Sequence, residues 1–408
     1  MAIAQGRKVL IGITGGIASY KVAEVVSTLA KAGAEVQVVL TGSAEQFVTP
    51  LTFATLSRRP AYTDREFWQP QHGRPLHITL AEWAEVILLA PLTANTLGKL
   101  VHGIADNLLL NILIASTCPV VCAPAMNTTM WQNPAVQQNW QSLLADVRYH
   151  ALPPIEGVLA CDTVGTGKMA EPSQILTLLE SVLWTGGKRD LQGKKVLVSG
   201  GGTREFIDPV RFLGNPATGK QGIAIALAAC DRGAEVTLVL ANGTVPYAYP
   251  GLTVIGVTTS AELETVMLKE FPQADITVMN AAVSDVKPQL VSPHKLPKQE
   301  LPPSLALFPV PDIVQMLAHQ KSSHQVLVGF AAQTGTIDEF LPLVQAKLMA
   351  KGLDAIVANR VDQGGIGFGS GENQVLMVGR DRQEVTPRCS KLEIAHRLWD
   401  FLHDMAGY

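Results

Sequence analysis

The chain has 408 residues, 47% of them apolar, 16% charged and 6% aromatic, which is too hydrophobic for a disordered chain and too poor in charge for a long coiled coil. At roughly 150 residues per domain, the length predicts two or three domains with real cores. A net charge of −3 excludes a global basic field for nucleic acid or an anionic membrane, so any bound phosphate must be held by local groups.

Residues 1–10 lack the apolar core of a signal peptide. The first half alternates buried-strand patterns at 8–14, 36–40, 86–90 and 120–123 with amphipathic helical stretches. The longest apolar stretch, 108–126, carries Asn111, Ser116, Thr117 and Pro119, so it reads as helix, turn and strand and not as a membrane span. Five cysteines, an odd number without a CxxC pair, fit a reducing cytoplasm, and no zinc-like cluster of Cys and His is present. A polar, Gly-rich stretch at 184–193 marks a boundary between domains 1–188 and 189–408. The second half repeats the pattern with strands expected at 195–199, 236–240, 253–257, 276–280, 326–330 and 355–358. The expected class is α/β, with two doubly wound, Rossmann-like parallel sheets.

A weak repeat supports this: Gly33-Ala34-Glu35-Val36 recurs as Gly233-Ala234-Glu235-Val236. The second half has 13 more residues between its first strand and this repeat. Ligands of open α/β sheets bind at such strand-to-helix connections, which makes the insert a candidate site.

In the first half, Thr14-Gly15-Gly16-Ile17-Ala18-Ser19-Tyr20-Lys21 follows a strand and opens a helix, with glycines that let backbone amides approach an anion. It is not GxGxxG, and its spacing suits a mononucleotide phosphate better than a dinucleotide pyrophosphate. Ala90-Pro91-Leu92-Thr93-Ala94-Asn95-Thr96 places hydroxyls and an amide at the same sheet edge, and Pro124-Ala125-Met126-Asn127 follows another strand. Together with His77 before Trp83-Ala84-Glu85, and with Gly103-Ile104-Ala105-Asp106-Asn107, these segments resemble the flavin-dependent cysteine decarboxylases, specifically the decarboxylase half of the bifunctional bacterial phosphopantothenoylcysteine decarboxylase/phosphopantothenate–cysteine ligase family. The resemblance implies a flavodoxin-like flavoprotein domain with FMN on Gly15, Gly16, Ile17, Ala18, Thr41, Ser43, Pro91, Thr93, Ala94, Asn95 and Met126. It implies an acid–base role for His77, a carboxylate held by Asn127, substrate contacts from Asp106 and Asn107, and Cys161 as proton donor on a Gly-containing flap at 156–169. Asp162, Thr163 and Lys168 depart from the family's usual flap residues.

In the second half, residues 214–220 satisfy GxxxxGK, but Gln221 stands where a P-loop needs a hydroxyl and the motif does not directly follow an expected strand. Thr203-Arg204-Glu205, Asp208-Pro209-Val210-Arg211 and Asn215-Pro216-Ala217-Thr218-Gly219-Lys220 instead resemble the loops of phosphopantothenate–cysteine ligase. The resemblance implies CTP binding by Met279, Asn280, Ala281, Asp285, Lys295, Pro311, Asp312, Ile313, Val314, Phe330, Lys347 and Lys351. It also implies Lys295 and Asn215 in catalysis, Arg211 in substrate binding, and Mg2+ arriving with CTP, its protein ligands unknown. Pro297 and Gln333 depart from the family pattern. The expected substrates are 4′-phosphopantothenate, cysteine and CTP, and the expected assembly is a homo-oligomer with trimeric flavin sites, ligase dimers and a dodecamer overall. The rival reading is a regulatory flavoprotein of the phosphatase-inhibitory type without decarboxylase activity. A nicotinamide-dependent oxidoreductase is disfavoured by the lack of GxGxxG.

Overall fold

The computed structural model describes residues 2–69, 73–160, 162, 164–245, 248–301, 303–362, 365, 367 and 369–406. The chain divides into two compact units, Met1–Lys188 and Arg189–Tyr408.

Unit 1 starts with β1 (Lys8–Ile13), α1 (Ser19–Lys31) and β2 (Glu35–Leu40), followed by α2 (Pro50–Ser57), β3 (Ala61–Tyr62), α3 (Asp64–Phe67) and α4 (Leu76–Trp83). Next come β4 (Val86–Leu92), α5 (Ala94–Val101), α6 (Leu108–Ala115), β5 (Val120–Pro124), α7 (Thr128–Trp131), α8 (Pro134–Ala145) and β6 (Tyr149–Ala151). A hairpin of β7 (Ile155–Val158) and β8 (Val164–Lys168) precedes α9 (Pro172–Thr185). The sheet order is β3-β2-β1-β4-β5-β6, with every pair parallel. Strand β4 is buried along its whole length, as a parallel strand covered on both faces requires. Helix α9 extends through Trp184, so the polar boundary segment begins inside a helix, one residue before its end.

Unit 2 runs β9 (Lys195–Gly201), β10 (Arg204–Phe206), β11 (Phe212–Gly214), α10 (Lys220–Asp231), β12 (Glu235–Ala241), β13 (Leu252–Val257), α11 (Ser260–Glu270) and β14 (Ile276–Met279). After β15 (Val286–Pro288) and β16 (Leu307–Pro309) come α12 (Ile313–Gln320), β17 (Val326–Gln333), α13 (Ile337–Ala350) and β18 (Ala355–Arg360). The unit ends with β19 (Glu372–Asn373), β20 (Val375–Gly379), β21 (Gln383–Val385), β22 (Cys389–Ser390) and α14 (Lys391–Ala406). Its sheet order is β13-β12-β9-β14-β17-β18-β20-β21, parallel as far as β18 and antiparallel beyond.

The internal repeat has a structural cause. Gly33 and Gly233 both follow a helix with positive φ, +85° and +91°, where a side chain would be strained, and each turns the chain into the second strand. Lys8 then pairs with Glu35 and Lys195 with Glu235 in the same register. The longer connection in the second half builds the antiparallel β10–β11 hairpin. The GxxxxGK stretch therefore does follow a strand, but β11 is a three-residue hairpin arm and not a central parallel strand, so the P-loop arrangement is not built.

Helix α14 closes unit 2 by packing on α10. Trp399 is buried and donates from Nε1 to the Ile225 carbonyl at 3.1 Å. Arg232, also buried, donates to Asp190 at 2.8 Å, to the His396 carbonyl at 3.3 Å and to Asp400. These bonds pin the C-terminal half of α10 and its cap residue against the middle of α14.

Candidate functional site

Each unit has one large cavity at the carboxyl ends of its parallel strands. In unit 1 the volume is about 1170 Å3, and the lining includes Gly15, Gly16, Ile17, Ala18, Thr41, Ser43, Thr93, Ala94, Asn95 and Met126. Only Pro91 of the expected cofactor residues is absent from the lining. It sits behind the wall, accepting a 2.6 Å bond from Thr14 Oγ1, which in turn accepts from Thr93 N–H at 3.1 Å. That pair of bonds ties the end of β1 to the loop after β4. A Cβ on Gly15 would lie 2.4 Å from Ser43 Cβ, so only glycine lets the turn after β1 pass close to the loop after β2.

Helix α1 is capped by Ala18, which offers no side-chain hydrogen bond. The amide-rich turn at 15–18 thus faces the cavity with no hydroxyl or carboxylate of its own to compete for an anion. Thr41, Ser43 and Asn95 add polar groups, and Ile17, Met126, Val158 and Leu159 add apolar surface. A phosphate at the helix start and a flat ring against the apolar wall, the two ends of FMN, both fit this cradle.

Asp106, Asn107 and Asn127 line the same cavity. Asp106 pairs with Lys99 at 2.5 Å, and Asn107 caps α6 through Leu110 N–H at 2.9 Å. The β7–β8 hairpin covers the turn at 124–127, with Val158, Leu159, Ala160, Gly167 and Lys168 on the wall. Cys161, the expected proton donor, lies outside the described residues, as does Thr163. Lys168 and Lys21 both grip Glu171, at 2.6 and 3.1 Å. Their bonds, Lys168 first, outweigh the effect of burial and hold the Glu171 carboxyl below its ordinary range. His77 is not among the lining residues. It projects from α4, its ring stands edge-on to Phe67 at 5.5 Å, and its buried Nδ1 has no partner among the described residues. Burial raises the thiols of Cys118, Cys122, Cys230 and Cys389, so none of these four is an acid or nucleophile poised near neutrality.

In unit 2 the cavity measures about 590 Å3. Met279, Asn280, Ala281, Asp285, Pro311, Asp312, Ile313, Val314, Phe330, Lys347 and Lys351 all line it, as does Asn215, whose Nδ2 donates to the Val283 carbonyl at 3.2 Å. Asn280 lies one residue past the end of β14. Lys347 is in the last turn of α13, and Lys351 is its C-cap, paired with Asp312 at 2.9 Å. Lys295 is not brought to the cavity. It is exposed on the connection between β15 and β16. Its neighbour Leu296 is held on both sides of the backbone: Leu296 N–H donates to Asp208 Oδ2 at 3.2 Å and Arg211 Nη2 donates to the Leu296 carbonyl at 2.7 Å. Arg211 is likewise outside the lining, and its buried Nη1 has no partner among the described residues. Sequence reasoning missed Lys21, Asp64 and Lys99 in the first cavity, and Gln221, Asn373 and Lys391 in the second. Among the described residues no group of three or more His, Cys, Asp and Glu converges to hold a metal ion, and no helix is long and apolar enough to cross a membrane.

Two family models match the chain: Flavoprotein over residues 3–183, and the DNA/pantothenate metabolism flavoprotein C-terminal domain over residues 191–405. The coenzyme A biosynthesis bifunctional protein CoaBC of Bacillus subtilis is 42% identical over 395 residues, spanning 96% of this chain and 95% of the relative. The chain belongs to the CoaBC family. The CoaBC protein of Vibrio cholerae is 38% identical over 402 residues, 98% of each chain. Among solved structures, the C-terminal domain of a CoaBC protein is similar at 32% identity with a TM-score of 0.44, covering 53% of this chain and 98% of that one. Membership makes the chain a flavoprotein with a CoaBC-type ligase half, and both expected halves are present in order along its α/β architecture.

Proposed function

We propose that the chain performs two consecutive steps towards coenzyme A: residues 189–408 join cysteine to 4′-phosphopantothenate at the expense of CTP, and residues 1–188 decarboxylate the product to 4′-phosphopantetheine. The observation that carries this reading is that most of the residues implied by the family resemblance, scattered along each half of the sequence, line one cavity in each unit, Pro91, His77, Arg211 and Lys295 being the exceptions among the described residues.

Ligation needs a leaving group on the 4′-phosphopantothenate carboxylate. The carboxylate oxygen attacks the α-phosphorus of CTP and pyrophosphate departs, then the cysteine nitrogen attacks the acyl carbon and CMP departs. Negative charge concentrates on phosphate oxygens, and Lys347 and Lys351 at the cavity wall, with Mg2+ carried in on the triphosphate, are placed to offset it. Asn215 secures the acyl-cytidylate, and Phe330 with residues 279–281 frames the base. Lys295 is proposed to act from its exposed connection, where Asp208 and Arg211 hold the adjoining peptide.

Decarboxylation of a saturated cysteine carboxylate leaves a carbanion without a resonance sink. FMN, when bound, supplies a reversible two-electron oxidation of the adjoining carbon that removes this obstacle. The chain's own residues position and protonate: Asn127 binds the carboxylate, Asp106 and Asn107 contact the substrate, and Cys161 delivers the final proton. Because His77 lies off this cavity within one chain, its acid–base role requires a neighbouring copy. This agrees with the proposed trimeric flavin sites, within a dodecamer that also pairs the ligase halves. We place the activity in the cytoplasm.

The test is incubation of the whole chain with 4′-phosphopantothenate, cysteine, CTP and Mg2+, with mass analysis of the products. CMP, pyrophosphate, CO2 and 4′-phosphopantetheine are expected. A yellow protein that stops at 4′-phosphopantothenoylcysteine would refute the decarboxylase reading and favour the regulatory one.

A further inference from the structure

One end of the unit 2 cavity has chemistry that the reading above leaves unused. Lys391, the first residue of α14, lines the cavity yet is only 8% exposed, and its ammonium donates a long 3.3 Å bond to the Gly367 carbonyl. Lys220, the first residue of α10, donates to the Gly369 carbonyl at 2.9 Å. Among the described residues, neither has a carboxylate partner. Burial, and then the charge of Lys220, draws the Lys391 ammonium down to about 8. Beside them is Gln221, also 8% exposed and lining the cavity. Its Nε2 donates to the Lys391 carbonyl at 3.1 Å, which fixes the orientation of the amide and leaves Oε1 buried without a partner among the described residues.

The wall thus offers two uncompensated ammonium groups and one orphaned acceptor. A polyphosphate would satisfy the lysines but set its oxygens against Gln221 Oε1. A cation would satisfy the amide oxygen but meet two like charges. A molecule with an anion and an N–H cation two bonds apart satisfies both. Ligation requires such a molecule, since an amino acid must reach the acyl group held beside Asn215 in the same cavity. Resting on the ligase reading, we propose that Lys391, Lys220 and Gln221 form the subsite of the amino-acid substrate. The lysines take its α-carboxylate, and Gln221 Oε1 takes its α-ammonium before the proton is lost and nitrogen attacks.

The test compares cysteine with cysteamine, which carries the same amine and thiol but no carboxylate, on the full chain with CTP and 4′-phosphopantothenate saturating. Lys391→Met is expected to raise KM for cysteine about tenfold or more, the size of a lost charge-assisted hydrogen bond, while KM for cysteamine moves less than about twofold. An equal rise for both amines overturns the carboxylate assignment. So does slower pyrophosphate release in the absence of cysteine, which would assign the lysines to the polyphosphate. If Lys391→Met does not fold, Lys220→Met, altering an exposed side chain, decides the matter by the same comparison, and an unchanged cysteine KM overturns the subsite. A wild-type chain that releases no pyrophosphate from CTP and 4′-phosphopantothenate is a separate outcome, the failure of the ligase reading itself.

Discussion

Met126 and Gly167 lock the β7–β8 hairpin onto the turn after β5: the Met126 N–H donates to the Gly167 carbonyl at 3.0 Å, and a Cβ on Gly167 would lie 2.1 Å from the Met126 carbonyl oxygen. Because that obstacle is backbone, it cannot rotate away. Gly167→Ala must lift the hairpin, at a cost of about 1 to 3 kcal/mol typical of overpacking. Decarboxylation by the variant is expected to fall about tenfold or more while ligation is unchanged, measured as CO2 and pyrophosphate release from the same preparation. Equal loss of both would mean that the hairpin is not specific to the first cavity.

The same hairpin depends on a charged latch. Glu171 joins Lys168 on the hairpin side to Lys21 on α1, and its carboxyl is held low by those two bonds, Lys168 first, against the opposing effect of burial. A carboxylate with a lowered folded value contributes above its unfolded value of about 4.3 and loses that contribution as pH falls through the folded value. Decarboxylase activity should therefore carry an acid limb that sets in below the ordinary carboxylate range. Glu171→Gln should show the depressed activity already at pH 7, with little further change on acidification. A wild-type profile that is flat through this range would remove the latch from the mechanism.

The parallel strands were legible because a strand covered on both faces must be continuously apolar, as at 86–90 and 120–123. The short additions were not. Leu307–Pro309 is wholly exposed and contains proline, so nothing in its composition marks it as a strand, and it pairs only because β15 lies opposite. Cavity residues at strand ends could be located from their position after apolar runs. The opposite held for Lys391, which reads as the solvated start of an amphipathic helix. Its cavity position arises from the packing of α14 on α10, through contacts such as Trp399 to Ile225 that are 174 residues apart in sequence. His77 and Lys295 show the converse limit: the residue types are recognisable, but within one chain neither lines a cavity.

Cys161→Ser should keep flavin yet fail to complete protonation. Its flavin absorbance should match that of the wild type, while 4′-phosphopantothenoylcysteine yields a decarboxylated product two hydrogens lighter than 4′-phosphopantetheine, read by mass. Normal 4′-phosphopantetheine output would show that another group supplies the proton.

Asp208 has no exposed surface and holds three backbone N–H groups, those of Val210 and Arg211 at 2.8 Å and Leu296 at 3.2 Å. Burial alone would raise its carboxyl, but those bonds and the charge of Arg211 bring it below the ordinary range. An amide in its place has one acceptor oxygen, and its NH2 would face a donor. Asp208→Asn should release the peptide beside Lys295 and slow cysteine-free pyrophosphate release about tenfold, with KM for CTP nearly unchanged because the CTP cavity is lined by other residues. A rise in KM without a fall in rate would mean that Asp208 shapes the nucleotide site and does not position Lys295.

Gln221→Ser recreates the full GxxxxGK[ST] pattern at 214–221 and separates motif from geometry. In a P-loop the lysine reaches phosphates bound within its own loop, and the following hydroxyl holds Mg2+. Here Lys220 extends instead to the Gly369 carbonyl, and the loop descends from the β10–β11 hairpin. No ATP hydrolysis above the wild-type background is expected from the variant, assayed by phosphate release. Loss of the Gln221 to Lys391 bond should instead weaken cysteine binding, raising KM for cysteine several-fold. Appearance of ATP turnover would show that the hairpin-borne loop can adopt the phosphate cradle after all, and that the short strand β11 suffices to support it.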